Sequence, residues 1–283
     1  MIMTNLTPPS IIREDEKEFT ELKAIIKRKI GFNCEDYKQP HLKRRLAVRL
    51  RATQSASYKD YAQVLLKNAD EEKQLKETLT VNVTELFRNP ETYESVRNNV
   101  LPELIKYKGN NKVIKVWSAG CSNGEEPYSI AILLNEYLGS SAKRYNISIL
   151  GTDIDEDSLG KAENALFQSK QLEKIEKERI ARFFVKKENN YQVIDELKKL
   201  VKVKHHDLIS GPKLSGFDII FCRNVTIYFE EQLQEILYMN FYNALNEGGY
   251  FVMGKTETLV GPASQSFKRF DLKERIYTKK EKL

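Results

Sequence analysis

Near residue 112 of this 283-residue chain the hydrophobic rhythm changes. Beyond it, short apolar runs alternate with amphipathic stretches. Residues 113–117 form an apolar run that ends in a glycine-containing turn, and a helical stretch over 127–138 stops at Gly139. A second run, 147–150, leads into Gly151-Thr-Asp153-Ile-Asp155 and a helix over 158–167. Later come the run 217–222, a helix over 230–245, the Gly248-Gly249 turn and a last strand over 250–253. Strands taking turns with helices predict an α/β fold with a parallel, doubly wound sheet. Ligands in such sheets bind outside the carboxyl ends of the strands. Residues 182–206 interrupt the alternation, with short strand-like runs at 183–185, 191–194 and 200–203, and are expected to form a small inserted β element.

Before the change, residues 15–87 read as helix after helix. Phe19, Leu22, Ile25 and Ile26 recur at helical spacing and the pattern stops at Gly31. A helical domain over 1–89 and a sheet domain over 90–283 follow. Hydrophobic residues make up 41% of the chain, enough for a sizeable core, and no run of about 18 apolar residues predicts a membrane span. The N-terminal segment lacks the basic start and apolar stretch of a secretory signal. Three widely separated cysteines, Cys34, Cys121 and Cys222, suit a reducing cytoplasm better than a disulfide framework. Those cysteines and three histidines, without an H-E-x-x-H pattern, give metal catalysis little support, so no metal is expected.

The net charge is +6, and residues 1–89 hold 17 Lys and Arg against 13 Asp and Glu. The densest cluster is Lys43, Arg44, Arg45, Arg49 and Arg51, beside Leu42, Leu46 and Leu50 at a spacing of four. This is an amphipathic helix with a basic face. It is either a solvated surface or a docking site for an acidic partner, whether a nucleic acid or an acidic protein helix. Charge alone does not choose between them.

The turn after the first strand of the sheet domain reads Gly120-Cys-Ser-Asn-Gly124-Glu125-Glu126-Pro127. It is not the G-x-G-x-x-G of a dinucleotide site, and two carboxylates at a helix start repel a pyrophosphate. Either the glutamates only complement the helix dipole, or the ligand is cationic and free of phosphate. S-adenosylmethionine, with its ammonium and sulfonium, fits the second case. Asp153, at the end of the second strand, then holds ribose hydroxyls or is merely a turn carboxylate, while Asp155 is placed to cap the next helix. Between the domains, Asn82-Val-Thr84-Glu85-Leu-Phe-Arg88 is a polar linker, or Arg88 offers its planar fork to a ligand carboxylate. Tyr228, after the run 217–222, faces a transferring methyl or belongs to the core.

Four motifs, taken in order, resemble the chemotaxis receptor methyltransferases, the CheR family. They are Thr80-Val-Asn82-Val-Thr84-Glu-Leu-Phe87-Arg88, Trp117-Ser-Ala-Gly-Cys-Ser-Asn-Gly-Glu-Glu-Pro-Tyr-Ser129, Asp153-Ile-Asp155 and Phe221-Cys-Arg-Asn-Val-Thr-Ile-Tyr-Phe229. The resemblance covers nearly the whole chain. It implies an all-helical N-terminal domain and a class I, Rossmann-like methyltransferase domain with a small β subdomain. It implies a cytoplasmic protein-glutamate O-methyltransferase that moves the methyl of S-adenosylmethionine to glutamates on the cytoplasmic methylation helices of chemoreceptors, leaving S-adenosylhomocysteine. By matched position, Asn82, Thr84, Arg88, Gly120, Glu126 and Asp153 would bind the cofactor. Asp207-Leu208 and Asn224-Val225 would flank its adenine and sulfonium regions. Arg88 and Tyr228 fall at the reaction centre, and Lys43, Arg44, Arg45, Arg49 and Arg51 on a receptor-docking helix.

Two departures from the family pattern stand out. Asp207-Leu208 replaces a common Asn-Leu, and Asp still accepts a hydrogen bond from an adenine amino group. The segment Val185-Lys-Lys-Glu-Asn-Asn-Tyr-Gln-Val193 lacks the Gly-rich loop with which some members grip a pentapeptide at the receptor tail, so recruitment without that tether is expected. A monomer is expected too. Two rivals remain: a nucleic-acid methyltransferase, against which Asn224-Val-Thr-Ile lacks an Asn/Asp-Pro-Pro-aromatic motif, and a non-catalytic sensor of S-adenosylmethionine.

Overall fold

The computed structural model describes residues 15–80 and 82–279. Most of the stretch read as lacking a secretory signal lies outside the described residues. The chain forms two compact units. One comprises the described residues up to Thr80 together with Tyr228–Glu230; the other comprises Asn82–Ile227 and the chain from Glu231 onward.

The first unit is helical: α1 (Glu16–Ile30), α2 (Gln39–Ala52), α3 (Tyr58–Lys67) and α4 (Ala69–Leu79). Side-chain oxygens of Asp15, Ser57 and Asn68 accept from the first-turn N–H groups of α1, α3 and α4, and Gly31 ends α1 in the left-handed region at φ 71°. Phe19, Leu22 and Ile26 of α1 meet Leu42, Leu46 and Leu50 of α2 and Tyr61, Leu65 and Leu75 in one core. The spacing of four in α2 therefore marks its buried stripe, as its periodicity indicates. Tyr228–Glu230 pairs with the loop before α2: the Lys38 amide donates to the Tyr228 carbonyl at 2.9 Å, and the Glu230 amide to the Asp36 carbonyl at 3.1 Å.

The second unit opens with α5 (Pro90–Ser95), which runs through one wide turn into α6 (Leu101–Lys108). Then follow β1 (Val113–Ala119), α7 (Glu125–Leu138), β2 (Asn146–Asp153), α8 (Glu156–Asn164), β3 (Leu166–Gln168), α9 (Lys177–Phe183), β4 (Phe184–Lys187), β5 (Asn190–Val193) and α10 (Asp195–Lys198). The chain continues with β6 (Val201–His205), β7 (Phe217–Cys222), α11 (Glu231–Ala244), β8 (Leu245–Met253), α12 (Ala263–Ser266), β9 (Phe267–Asp271) and β10 (Ile276–Lys279).

Seven strands make the main sheet, in the order β6-β2-β1-β7-β8-β10-β9. The first five run parallel, and β10 and β9 add an antiparallel edge, so the sheet is mixed rather than parallel throughout. All six residues of β7 are buried, as a central strand covered on both faces requires. Going along the chain from β1, the order runs outward through β2 to β6 and then restarts on the other side at β7. The switch point therefore lies between β1 and β7.

A small antiparallel sheet, β3-β5-β4, stands apart. It takes its first strand from residues 166–168, upstream of the stretch read as an insertion. The run read there as a third strand, 200–203, instead enters the main sheet as β6, in parallel register with β2. A short apolar run carries no signal of which sheet it joins.

Candidate active site

The carboxyl ends of β1, β2 and β7 converge through backbone bonds. The amides of Gly120 and Cys121 both donate to the Thr152 carbonyl, at 2.8 and 2.9 Å, which ties the turn after β1 to the end of β2. Gly120 has φ 79°, and a Cβ there would fall 2.4 Å from Cγ2 of Val225. Glycine is thus required both by conformation and by the close approach of the loop after β7. Gly124 (φ 99°) starts α7, and a Cβ there would lie 2.9 Å from Cα of Ala162 in α8.

Asp153 is engaged by backbone donors: Oδ2 accepts from the Ser122 amide at 2.8 Å and Oδ1 from the Asp155 amide at 3.0 Å. Burial raises its pKa, and these N–H groups oppose the rise. Asp155 caps α8, as its position in the turn indicates, and also accepts from Asn82 Nδ2 at 2.5 Å. The start of the 82–88 motif is thereby pinned two residues from Asp153.

Both glutamates of the turn point inward. Glu126 Oε1 accepts from Ser118 Oγ at 2.8 Å, and Oε2 lies 3.6 Å from the buried Arg223 guanidinium. Burial lifts the Glu126 pKa and Arg223 pulls it back. Glu125 is 1% exposed, and one oxygen accepts from Gln171 Nε2 at 2.8 Å while the other has no partner among the described residues. Burial pushes its pKa up to about 7.

Arg223 also donates to the Arg88 carbonyl at 2.7 Å and to Asn89 Oδ1 at 2.9 Å. It so fixes a turn in which Phe87 and Asn89 both hold positive φ. The Phe87 amide donates to Ser129 Oγ on α7 at 2.8 Å. The Arg88 side chain is half-buried and donates to the Val83 carbonyl at 3.2 Å; Thr84 is half-buried nearby in sequence. Asp207 and Leu208 follow β6, whose end is tied to β2 by the His206 amide donating to the Asp153 carbonyl at 2.9 Å. The Asp207 carboxylate accepts from the Ile209 amide and the Ser210 hydroxyl of its own turn. After β7, Asn224 sits at φ 60°, and its amide and those of Val225 and Thr226 donate to Glu257.

Asn82, the Arg88 turn, Gly120, Glu126, Asp153, Asp207-Leu208 and Asn224-Val225 therefore all stand at the strand ends of the second unit. Tyr228 and the basic residues belong to the helical unit. The Tyr228 ring meets His41 edge-on, 5.4 Å between centroids. Within α2, Arg49 is not displayed to solvent: it grips Glu71 through Nε and Nη2 at 2.9 and 2.6 Å, and Tyr61 donates to the same carboxylate at 2.7 Å. Lys43 pairs with Glu16 at 2.7 Å and lies over Phe19. Arg44, Arg45 and Arg51 have no carboxylate partner among the described residues. A spacing of four cannot tell these outward cations from one turned in to a buried acid on another helix.

The strand ends suit S-adenosylmethionine. Four buried polar atoms there lack partners among the described residues: Ser122 Oγ, Asn123 Oδ1, Asn224 Oδ1 and Arg223 Nε. Glu126 and Asp153 offer carboxylates where a phosphate site needs backbone N–H groups and cations. Arg223, Glu257, Ser118 and Ser122 were not singled out from sequence. Arg223 and the serines sit inside quoted motifs, but Glu257 lies 33 residues beyond Asn224, and only the fold brings it there. Among the described residues no helix is long and apolar enough to cross a membrane, and no group of three or more His, Cys, Asp and Glu is arranged to hold a metal ion.

Comparison with known proteins agrees with this geometry. Residues 17–80 match the CheR methyltransferase all-alpha domain and residues 82–276 its SAM binding domain. A chemotaxis protein methyltransferase of Listeria innocua is 31% identical over 253 residues, covering 89% of this chain and 94% of that protein. Those of Borreliella burgdorferi and Vibrio cholerae are each 30% identical, over 86% of this chain and 89% and 86% of their own lengths. With both domains matched in order and relatives aligned over most of their length, the chain belongs to the CheR methyltransferase family.

Proposed function

We propose that this protein methylates glutamate side chains of chemoreceptors with S-adenosylmethionine, forming glutamate methyl esters in the cytoplasm. The observation that carries this is the acid-lined cluster of strand ends, Glu126 and Asp153 beside the tight Gly120 turn, inside the family's SAM binding domain. Asn82, Thr84, Glu126, Asp153, Asp207, Leu208, Asn224 and Val225 would hold the cofactor, with Glu126 toward its ammonium and Arg88 toward its carboxylate. When bound, it supplies a methyl activated on a sulfonium.

The acceptor glutamate is already ionised at neutral pH, its pKa being about 4.3, so no side chain need remove a proton. The protein's work is to exclude water and align the acceptor oxygen, the methyl and the sulfur, which supplies about 7 to 11 kcal/mol. Tyr228 orients the incoming glutamate. Arg44, Arg45 and Arg51 meet the acidic methylation helices. The β4–β5 hairpin closes between Lys187 and Asn190, with Glu188 at φ 52°, and so has no long loop to clasp a receptor tail. The short hairpin supports the reading that recruitment needs no pentapeptide tether, and the proposal takes the enzyme as a monomer that needs no metal and does not use nucleic acid as acceptor.

The test is transfer of labelled methyl to receptor-containing membranes, followed by alkaline release of methanol. Base-labile label on a receptor band is expected. Label that resists base, or that appears on RNA or DNA in place of receptor, overturns the proposal.

A further inference from the structure

Glu257 is 2% exposed and has no cationic partner among the described residues, yet all its acceptor capacity is used. Oε2 accepts from the amides of Gly254 and Asn224 at 2.7 and 2.8 Å. Oε1 accepts from the amides of Thr226 and Val225 at 2.9 and 3.2 Å and from the Thr226 hydroxyl at 2.6 Å. Burying a carboxylate is costly unless donors replace its water, and here four backbone N–H groups and a hydroxyl do so. Three of the amides are consecutive. They can converge on one carboxylate only because Asn224 leaves the extended conformation, at φ 60°. Gly254 completes the fit, since a Cβ there would lie 2.5 Å from Glu257 Oε2 and 2.9 Å from the Asn224 amide nitrogen. Behind the loop, Thr226 Oγ1 lies 2.8 Å from Tyr238 Oη, and Gln234 donates to the Thr226 carbonyl at 2.8 Å.

The loop so held carries Asn224 and Val225, and Val225 is the residue that closes on Gly120. We infer that Glu257 is a positioning residue for the methyl donor: it shapes the loop after β7 by taking its amides onto one carboxylate, and so sets the donor's affinity without touching it. This rests on the reading of the strand ends as the S-adenosylmethionine site. An ordinary core carboxylate would affect stability alone; a positioning residue affects donor binding in the folded protein.

Glu257→Gln keeps shape but turns one end into a donor facing other donors. Three quantities are compared with wild type on the full chain: hydrogen exchange of the 224–226 amides without ligand, the Kd for S-adenosylhomocysteine by calorimetry, and KM against kcat for the methyl donor. The expected result is at least tenfold faster exchange confined to the loop, a Kd and KM raised about tenfold or more, and a smaller change in kcat. Thr226→Val, which removes only the hydroxyl donor, is expected to shift the same quantities in the same direction by less, and it decides the matter if Glu257→Gln does not fold. A lower melting temperature with wild-type Kd, KM and loop exchange overturns the inference. Failure of wild-type protein to bind S-adenosylhomocysteine overturns the reading of the site instead. The loop exchange then still decides whether Glu257 holds the loop, and exchange no faster than wild type would sink that too.

Discussion

Arg223 donates to the carbonyl of Arg88, 135 residues earlier in the chain, at 2.7 Å. The guanidinium is 2% exposed, and its other terminal nitrogen lies 3.6 Å from Glu126. One buried fork thus joins the loop after β7, the helix start after β1 and the turn that presents Arg88. Lysine keeps the charge but not the fork. Arg223→Lys is expected to cost about 1–3 kcal/mol of stability, through unmet acceptors at Arg88 and Asn89, and to weaken S-adenosylhomocysteine binding. Thermal unfolding and calorimetry check both, and a variant as stable as wild type counts against the clamp.

Arg223 holds the backbone of Arg88, so the Arg88 side chain is separable from the fold. Its one hydrogen bond among the described residues is 3.2 Å to the Val83 carbonyl. Arg88→Ala is expected to lose about 0.5–1.5 kcal/mol of stability at most, yet to abolish methyl transfer and weaken donor binding. Near-normal turnover would remove Arg88 from the site.

The approach of Gly120 to Val225 predicts a coupled pair. Gly120→Ala places a methyl 2.4 Å from Val225 Cγ2 in a backbone at φ 79°, and about 1–3 kcal/mol of strain is expected with loss of donor binding. Val225→Ala removes the clash but not the unfavourable φ. The double variant should therefore be more stable than additivity allows, as chemical denaturation of the four proteins would reveal.

The basic helix divides by partner. Arg49→Ala strands Glu71, 4% exposed, against Tyr61, and is expected to destabilise the helical unit by about 3–5 kcal/mol. Replacing Arg44, Arg45 and Arg51 by alanine should lower the melting temperature far less, since none has a carboxylate partner among the described residues, Arg44 meets only His41 at 3.2 Å and Arg45 is half-buried. The same triple variant should slow receptor methylation, and wild type should slow likewise as salt is raised. Equal melting losses in the two variants would contradict this division.

Glu125 predicts a pH dependence. Its folded pKa is raised from 4.5 to about 7 by burial, so the folded state holds the proton more tightly than the unfolded chain. Its contribution is fully present below pH 4.5 and is lost as pH rises through about 7, on the order of 3 kcal/mol in all. Glu125→Gln, which keeps an acceptor for Gln171, should flatten the fall in stability between pH 5 and 8. An unchanged slope in urea titrations across that range would assign the pH dependence elsewhere.

Much of this protein was legible in its residue order. Periodicity marked the buried stripe of α2 and the alternation of strands and helices, because a helix or strand must bury one face whatever its neighbours are. The Gly120 turn and the two glutamates after Gly124 could be placed between a strand and a helix, because they are local to one turn. Tertiary structure decided what depends on distant partners. It turned Arg49 inward to Glu71, sent residues 201–205 to the main sheet, reversed β10 between β8 and β9, and set Tyr228 with the helical unit. It also brought Glu257 under three consecutive amides and Arg223 onto the Arg88 carbonyl. Hydrogen bonds and charge pairs across more than 20 residues leave no periodic trace in a sequence, since each depends on two side chains whose meeting only the folded backbone arranges.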